Sequence, residues 1–177
     1  MGTSHRLTLL LSLCLVIVAA LGVQAAAQAQ DVQVIQTLTP DQVHSLVSEN
    51  QGKVVIVNFW ASWCPPCLKE FPDIIRVYNE HHAEGLEVIA VSMNADDEIQ
   101  DIEDFLANYE PPFPIYRAAT QDETFFSGIS DEWYGEMPTT LVFDAEGDTV
   151  GFYKRQLTYE EMTTDVTDLL SRRSAVN

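Results

Sequence analysis

Apolar positions along the chain follow two patterns, short β-branched runs and longer stretches with helical spacing. Residues 53–60 and 86–93 each contain a short run, which predicts two strands buried on both faces of a sheet. Between them, apolar side chains recur at helical spacing over residues 68–78, and we expect Pro72 to kink this helix. The order β-α-β predicts an α/β fold.

Caps and turns predict the remaining elements. Thr39 with Gln42, and Thr158 with Glu161, have the spacing of capping boxes and mark the starts of two helices. No internal repeat or linker divides the chain, so we expect one domain. The further expected elements are an edge strand within residues 31–39, a helix over 94–109 capped by Asn94 or Asp96, a helix over 123–127, and a hairpin of residues 137–144 and 149–153.

The first residues have the composition of an export signal. Arg6 supplies a short basic start, and residues 7–23 are almost continuously apolar. Residues 24–30 are rich in Ala, with small side chains spaced for cleavage after Ala27 or Ala29. A basic start, an apolar middle and such a cleavage site are the parts of a secretory signal.

We therefore expect residues 1–29 to be a signal peptide and residues 30–177 to be one exported, periplasmic domain. An uncleaved N-terminal anchor is the alternative, although the apolar stretch is shorter than the roughly 20 residues that span a bilayer. Cys14 does not indicate a lipoprotein, because Leu13 is too large for the position before a lipidated cysteine.

The chain is strongly acidic, with 9 basic and 27 acidic side chains and a formal net charge of −18. Such a field repels nucleic acid and anionic lipid surfaces, so no nucleic-acid partner is expected. Solubility is the default explanation, and attraction of a basic partner is the alternative. An acidic cluster at helical spacing is interpreted as a solvated helix face, because it lacks calcium-loop spacing; it comprises Asp97, Glu98, Asp101 and Asp104.

The positions of the cysteines indicate redox chemistry. The chain has 3 cysteines, and without the signal only Cys64 and Cys67 remain, as a C-x-x-C pair. A bridge across so short a loop adds little stability, so structural stapling is a poor explanation. Zinc would need two further ligands, and the histidines of the domain lack ligand spacing. We interpret the pair as a redox-active dithiol and expect neither a metal nor another cofactor.

The pair lies at the predicted junction of a strand and a helix, which gives the two sulfurs different roles. Cys64 at the helix start meets unpaired N–H groups and the positive end of the helix dipole, and both stabilise a thiolate. Pro65 and Pro66 are tolerated because N–H groups of the first turn have no helical partner. We expect Cys64 to be the attacking thiol and Cys67 the resolving thiol.

Glu70 and Pro138 are further candidates for the site. Glu70 follows Cys67 on the same helix face, where a carboxylate could carry protons to and from Cys67; a solvent-exposed glutamate is the alternative. Pro138 precedes a strand that is expected beside the active-site strand, and a cis bond there would expose the Met137 backbone to a substrate chain. Because cis is the minority form even before proline, the residues alone leave this isomer open.

Three motifs carry a family resemblance: NFWASWCPPC at residues 58–67, EFP at 70–72 and MPTT at 137–140. Together they resemble the TlpA/ResA/CcmG group of thioredoxin-like thiol–disulfide oxidoreductases, and the similarity covers most of residues 36–170. The resemblance implies a thioredoxin fold, with a central mixed β-sheet flanked by helices and a βα insertion at residues 86–109.

The resemblance also implies roles for single residues. Pro138 is expected to be cis, and Glu70 matches the active-site glutamate of ResA-like members. Asn58 stands where thioredoxin has a buried aspartate, which shifts proton transfer towards Glu70. The bulky segment DEWYGE at residues 131–136 departs from the family pattern and leaves the partner open. The residues expected to contact a client are Trp63, Pro65, Met137 and Pro138.

The leading functional hypothesis is a monomeric extracytoplasmic reductase, kept reduced by a membrane thiol donor. Its clients would be exported proteins with disulfides, such as apocytochrome c or copper-site proteins. A DsbA-like oxidant is one alternative, although no large helical domain interrupts the predicted fold. A copper-binding thiol chaperone is another, although no Met or His cluster accompanies the cysteines.

Overall fold

The computed structural model describes residues 35–176. The predicted signal at residues 1–29 and the first part of the predicted edge strand lie outside this range. Among the described residues, no helix combines the length and the apolar character needed to cross a bilayer.

A mixed six-stranded sheet forms the centre of the described part of the chain. Its strands are β1 (Gln36–Leu38), β2 (Val54–Trp60), β3 (Leu86–Ser92), β4 (Ile115–Ala118), β5 (Thr139–Phe143) and β6 (Thr149–Tyr153). Their spatial order is β1-β4-β3-β2-β5-β6. The first four strands of this order are parallel, β5 is antiparallel to β2, and β6 is antiparallel to β5. The predicted edge strand is therefore confirmed at β1.

The helices of the described residues are α1 (Pro40–Glu49), α2 (Pro65–His81), α3 (Ile99–Leu106), α4 (Glu123–Ile129) and α5 (Tyr159–Val176). Helix α2 packs against α5, and α1 packs against α4. The segment that the resemblance identifies as a βα insertion forms β3 and α3. This architecture is the thioredoxin-like mixed sheet with flanking helices that the resemblance implies.

Strand β2 lies at the centre of the sheet and carries the chain into the C-x-x-C motif. All its residues are buried, and so are those of β3 apart from Glu87, which is partly exposed. β2 pairs with β3 on one side and with β5 on the other, where Phe59 lies opposite Thr139. The prediction of strands buried on both faces is confirmed.

The predicted capping boxes are present. The Thr39 amide donates to Gln42 Oε1 at 2.8 Å, and the Gln42 amide donates to Thr39 Oγ1 at 3.4 Å. At the start of α5, the Thr158 amide donates to Glu161 Oε2 at 2.9 Å, and the Glu161 amide returns a bond to Thr158 Oγ1 at 3.3 Å. Helix α2 continues through Pro72 as one element.

The predicted helix over residues 94–109 is shorter in the structure. A 3₁₀ turn at Asp96–Glu98 precedes α3. Neither predicted cap serves α3: Asn94 is buried and bonded elsewhere, and Asp96 pairs with Arg117 at 2.5 Å. The capping prediction was wrong because tertiary partners engage both side chains.

Two other element boundaries differ from the prediction. Helix α4 extends beyond residues 123–127 to Ile129, and β5 begins at Thr139 rather than at Met137. The hairpin itself is confirmed, with the Asp144 amide donating to the Asp148 carbonyl at 3.0 Å across the turn.

Trp133 is a core side chain that lies outside the helices and strands. It is only 1% exposed, and its ring centroid lies 4.4 Å from that of Phe59 and 4.9 Å from that of Phe126. Its Nε1 donates to the Glu136 carbonyl at 3.1 Å. The bulky segment 131–136 is therefore anchored in the core by one large aromatic side chain.

We expect Trp133→Ala to lower the free energy of unfolding by about 4 kcal/mol, because it leaves a large cavity in a packed aromatic cluster. Trp63→Ala is the matched control: the same side chain is removed from a position that is 55% exposed, and a change within about 0.5 kcal/mol is expected. Urea unfolding of both variants measures the difference. Equal losses would contradict the anchoring role of Trp133.

Candidate active site

The two cysteines lie where β2 passes into α2. Cys64 is the N-cap residue of α2, and Pro65 and Pro66 occupy its first positions. Cys64 and Cys67 form a disulfide. The Cys67 amide donates to Cys64 Sγ at 3.3 Å, so this sulfur receives one of the unpaired N–H groups of the helix start. This is the electrostatic environment that the sequence predicts for the attacking sulfur.

The cysteines are buried beneath exposed neighbours. Cys64 is 4% exposed and Cys67 1%, whereas the adjacent Trp63 is 55% exposed. Pro65 is exposed on the other side of Cys64. Trp63 and Pro65 therefore form the accessible surface on either side of Cys64 in the chain.

The loop between β2 and Cys64 is held by Asn94, which is buried at the end of β3. The Ser62 amide donates to Asn94 Oδ1 at 3.0 Å, and Asn94 Nδ2 donates to Ser62 Oγ at 2.7 Å. Ser92 Oγ donates to the same Asn94 oxygen at 2.8 Å. Asn94 thereby holds the backbone that leads to Cys64.

The Met137–Pro138 bond is cis, as the resemblance implies. Because Phe59 pairs with Thr139, this bond lies beside the end of β2 from which the chain continues to Cys64. Met137 is half-buried and the ring of Pro138 is buried. Of these two residues, Met137 has the more accessible surface.

Glu70 is fully buried, so the alternative of a solvent-exposed glutamate is wrong. Its Oε2 accepts a hydrogen bond from the Leu157 amide at 3.0 Å. Its Oε1 accepts from Asn58 Nδ2 at 3.1 Å and from Thr140 Oγ1 at 3.2 Å. Burial raises the pKa of Glu70 to about 7, and the hydrogen bonds from Leu157 and Thr140 oppose part of this rise.

The Asn58 amide can serve either protonation state of Glu70. Its Nδ2 also donates to Thr140 Oγ1 at 2.9 Å, while its Oδ1 is buried with no partner among the described residues. Three donors around Glu70 suit a carboxylate. Rotation of the amide by a half-turn would present an acceptor instead, which a protonated carboxyl requires.

Within residues 35–176, no group of three or more His, Cys, Asp or Glu side chains converges as metal ligands do. The acidic residues Asp97, Asp101 and Asp104 are exposed, in agreement with a solvated face. Glu98 instead accepts from the Ala95 amide at 2.8 Å.

A family model described as Redoxin matches residues 24–170. The chain belongs to the Redoxin family. Together with the relatives below, this match confirms the resemblance to the TlpA/ResA/CcmG group and the thioredoxin-like fold.

This Redoxin chain is similar to the thiol–disulfide oxidoreductase ResA of Oceanobacillus iheyensis, with 28% identity over 76% of this chain and 66% of that protein. It is 30% identical to the thioredoxin-like protein YneN of Bacillus subtilis, over 80% of this chain and 78% of that protein. A solved thiol:disulfide interchange protein from Chlorobium tepidum TLS superposes with a TM-score of 0.61 at 26% identity, covering 70% of this chain and 83% of that chain. The chain spans about two thirds of the length of the ResA relatives that it matches.

Two groups around the site were not predicted from the sequence. The sequence analysis assigns Asn94 to a helix cap. A polar residue directly after a buried strand that runs parallel to β2 is nevertheless a signal that this residue lies at the same end of the sheet as Cys64. The Leu157 amide has no sequence signal, because any residue supplies the same backbone donor.

The raised pKa of Glu70 predicts a pH-dependent cost to stability. An acid whose pKa is higher in the folded state stabilises that state below its unfolded pKa, and this contribution is lost as pH rises from 4.5 to about 7. Glu70→Gln cannot ionise, so the free energy of unfolding of the unsubstituted protein should fall relative to this variant by about 3 kcal/mol across that interval.

Urea unfolding of the oxidised proteins between pH 4 and 8 measures this difference. Asp73→Asn is a partial control on the same helix: the Asp73 charge contributes to the raised pKa of Glu70, but burial is the larger cause, so this variant should keep most of the pH-dependent difference. A constant difference between Glu70→Gln and the unsubstituted protein at all pH values would show that the Glu70 pKa is not raised.

Proposed function

We propose that this Redoxin protein is an extracytoplasmic thiol–disulfide oxidoreductase that reduces disulfides in exported clients through Cys64 and Cys67. The observation that carries the proposal is the bond from the Cys67 amide to Cys64 Sγ at the start of α2, beside the cis Met137–Pro138 bond. The names of its ResA relatives support the reaction type.

The reduced dithiol donates two electrons to a client disulfide. The Cys64 thiolate attacks one client sulfur, the client S–S bond breaks, and the other client sulfur leaves as a thiolate. The Cys67 thiol then loses its proton and attacks Cys64 Sγ in the mixed disulfide. This step releases the second client thiolate and closes the Cys64–Cys67 disulfide, which a membrane thiol donor would reduce again.

Glu70 is suited to accept the proton from Cys67. It lies one helical turn beyond Cys67 on α2, and its pKa of about 7 leaves both protonation states populated near neutral pH. Glu70 and Cys67 are both buried. Bases dissolved in bulk water therefore have little access to the Cys67 thiol. We therefore assign Glu70 the proton transfer and Cys67 the resolving attack.

The proposal predicts unequal reactivity of the two thiols. In the reduced protein at pH 7, we expect Cys64 to be alkylated by iodoacetamide about tenfold faster than Cys67, because the helix start lowers its pKa. Peptide mapping by mass spectrometry scores each cysteine separately, including Cys14. Cys67→Ala should accumulate mixed disulfides with a disulfide-bonded substrate, and Cys64→Ala should not.

Glu70→Gln extends this experiment, because a neutral amide accepts no proton and no longer opposes a nearby thiolate. Its thiol titration should shift to lower pH, and the release of substrate from the mixed disulfide should slow. Equal, slow alkylation of both cysteines, or mixed disulfides through Cys67, would refute the assigned roles.

The reducing direction predicts a potential nearer to thioredoxin's value of about −270 mV than to DsbA's of about −120 mV. A strong oxidant stabilises its reduced thiolate, whereas here the buried Glu70 and a net charge of −18 disfavour a thiolate. Equilibration with glutathione buffers, followed by fluorescence of Trp60 and Trp63, measures the potential. A value near that of DsbA would favour the oxidant and leave the roles of the cysteines unchanged.

A further inference from the structure

Residues 130–136, which follow α4 and precede the cis Met137–Pro138 bond, are here termed the Tyr134 loop. It lies at the same end of the sheet as the disulfide. Thr139, just after the loop, pairs with Phe59 near the end of β2, and the ring of Trp133 packs on the ring of Phe59 at 4.4 Å. Strand β2 continues from this end to Cys64.

Internal hydrogen bonds fix the backbone of the Tyr134 loop. The Trp133 amide donates to the Ser130 carbonyl at 2.9 Å, and the Tyr134 amide donates to Glu136 Oε2 at 3.0 Å. Gly135 has a φ of +91°, and a Cβ at this position would lie 2.7 Å from the ring of Phe126. These bonds support the observed loop backbone, and its conformation at position 135 favours glycine.

The segment between β6 and α5 connects this loop to the catalytic carboxyl. Lys154 Nζ donates to the Glu132 carbonyl at 2.9 Å and pairs with Glu136 Oε1 at 3.3 Å. A few residues later, the Leu157 amide donates to Glu70. The Tyr134 loop is thus linked to Glu70 through the segment between β6 and α5.

The loop presents an aromatic ring to solvent. Tyr134 is 74% exposed, the largest value among the exposed large hydrophobic side chains of residues 35–176. A tyrosine held out on a fixed backbone offers a large contact area at a low entropic cost, as binding hot spots do. The exposed Trp63 supplies a second aromatic surface next to Cys64.

The charges of the loop indicate the kind of partner. Lys154 Nζ lies 5.7 Å from the centroid of the Tyr134 ring, but it is paired with Glu136. Asp131 and Glu132 are exposed and form no salt bridge with described residues. The chain as a whole carries a formal charge of −18. An arginine or lysine can stack on a tyrosine ring and pair with a carboxylate at the same time, so these groups favour a basic segment.

We propose that the Tyr134 loop is a docking site for an extended client segment that carries arginine or lysine close to its disulfide. Tyr134 receives the cationic side chain, and Asp131 and Glu132 supply the opposite charge. The proposal rests on the proposed function for the reaction that follows, but docking itself requires no thiol.

Cysteine-free peptides test docking separately from the redox reaction. Two fluorescently labelled peptides share one sequence in which serine replaces both cysteines, and they differ only in flanking arginines or glutamates. Fluorescence anisotropy with the oxidised full chain should show about tenfold tighter binding of the basic peptide. This preference should decrease as ionic strength rises.

Variants separate the loop from the overall charge. Tyr134→Ala should weaken binding of the basic peptide about fivefold while Tyr134→Phe retains it, and Asp131→Asn with Glu132→Gln should weaken it about threefold. Tyr109→Ala removes another exposed aromatic ring and should have no effect. Glu146→Gln with Asp148→Asn makes the same charge change in the hairpin turn at the opposite end of β5 and should also have no effect.

Absence of a basic preference, or equal losses in the loop variants and their controls, would overturn the docking site. Intact docking of the basic peptide in a protein that fails to reduce disulfides would support the docking site and refute only the proposed function. Disulfide reduction by a protein whose peptide binding does not depend on the Tyr134 loop would support the proposed function and refute only the docking site.

Discussion

The hydrogen bonds around the buried Glu70 carboxyl are the constraint on which the site depends. A carboxyl removed from water is tolerated only when its oxygens are bonded, and the donors here come from β2, β5 and the segment before α5. Glu70 itself belongs to α2, the helix that also carries Cys67. The same bonds that satisfy the carboxyl therefore attach α2 to the sheet and to the segment before α5. A displacement of any of these elements would deprive Glu70 of one of its three donors.

Two electrostatic influences act against each other at the disulfide. The start of α2 offers an N–H group and a positive dipole end to Cys64 Sγ, which stabilises its thiolate. The buried carboxyl and the acidic surface oppose negative charge. Because every protein with a C-x-x-C pair at a helix start shares the first influence, the second one distinguishes this chain. In the proposed mechanism Glu70 would therefore have two effects: it would make the dithiol a better reductant and give Cys67 a proton acceptor.

Local features of the site could be predicted from the sequence, and features made by distant segments could not. The burial of β2 and the position of Cys64 at a helix start follow from neighbouring residues, and so do the capping boxes. Helical spacing places Glu70 on the face of Cys67, but its burial depends on Thr140 and Leu157, which arrive from far along the chain. The role of Asn94 could not be predicted for the same reason, because its partner Ser62 lies before α2 and is distant from Asn94 along the chain. The resemblance supplied the cis form of Pro138, which its own residue type leaves open.

The residues around the disulfide divide into buried anchors and exposed contacts. Asn94 fixes the approach to Cys64 while the nearby Trp63 stays exposed, and Trp133 fixes the Tyr134 loop while the adjacent Tyr134 stays exposed. A client that presents its disulfide on an extended chain loses conformational freedom when it binds. Its affinity is therefore higher when the enzyme loses little conformational freedom of its own. Contacts held on fixed backbone minimise that second cost. Buried anchors beneath exposed aromatic rings would therefore suit the proposed reduction of flexible clients, and this gives the bulky side chains before the cis-proline a physical purpose.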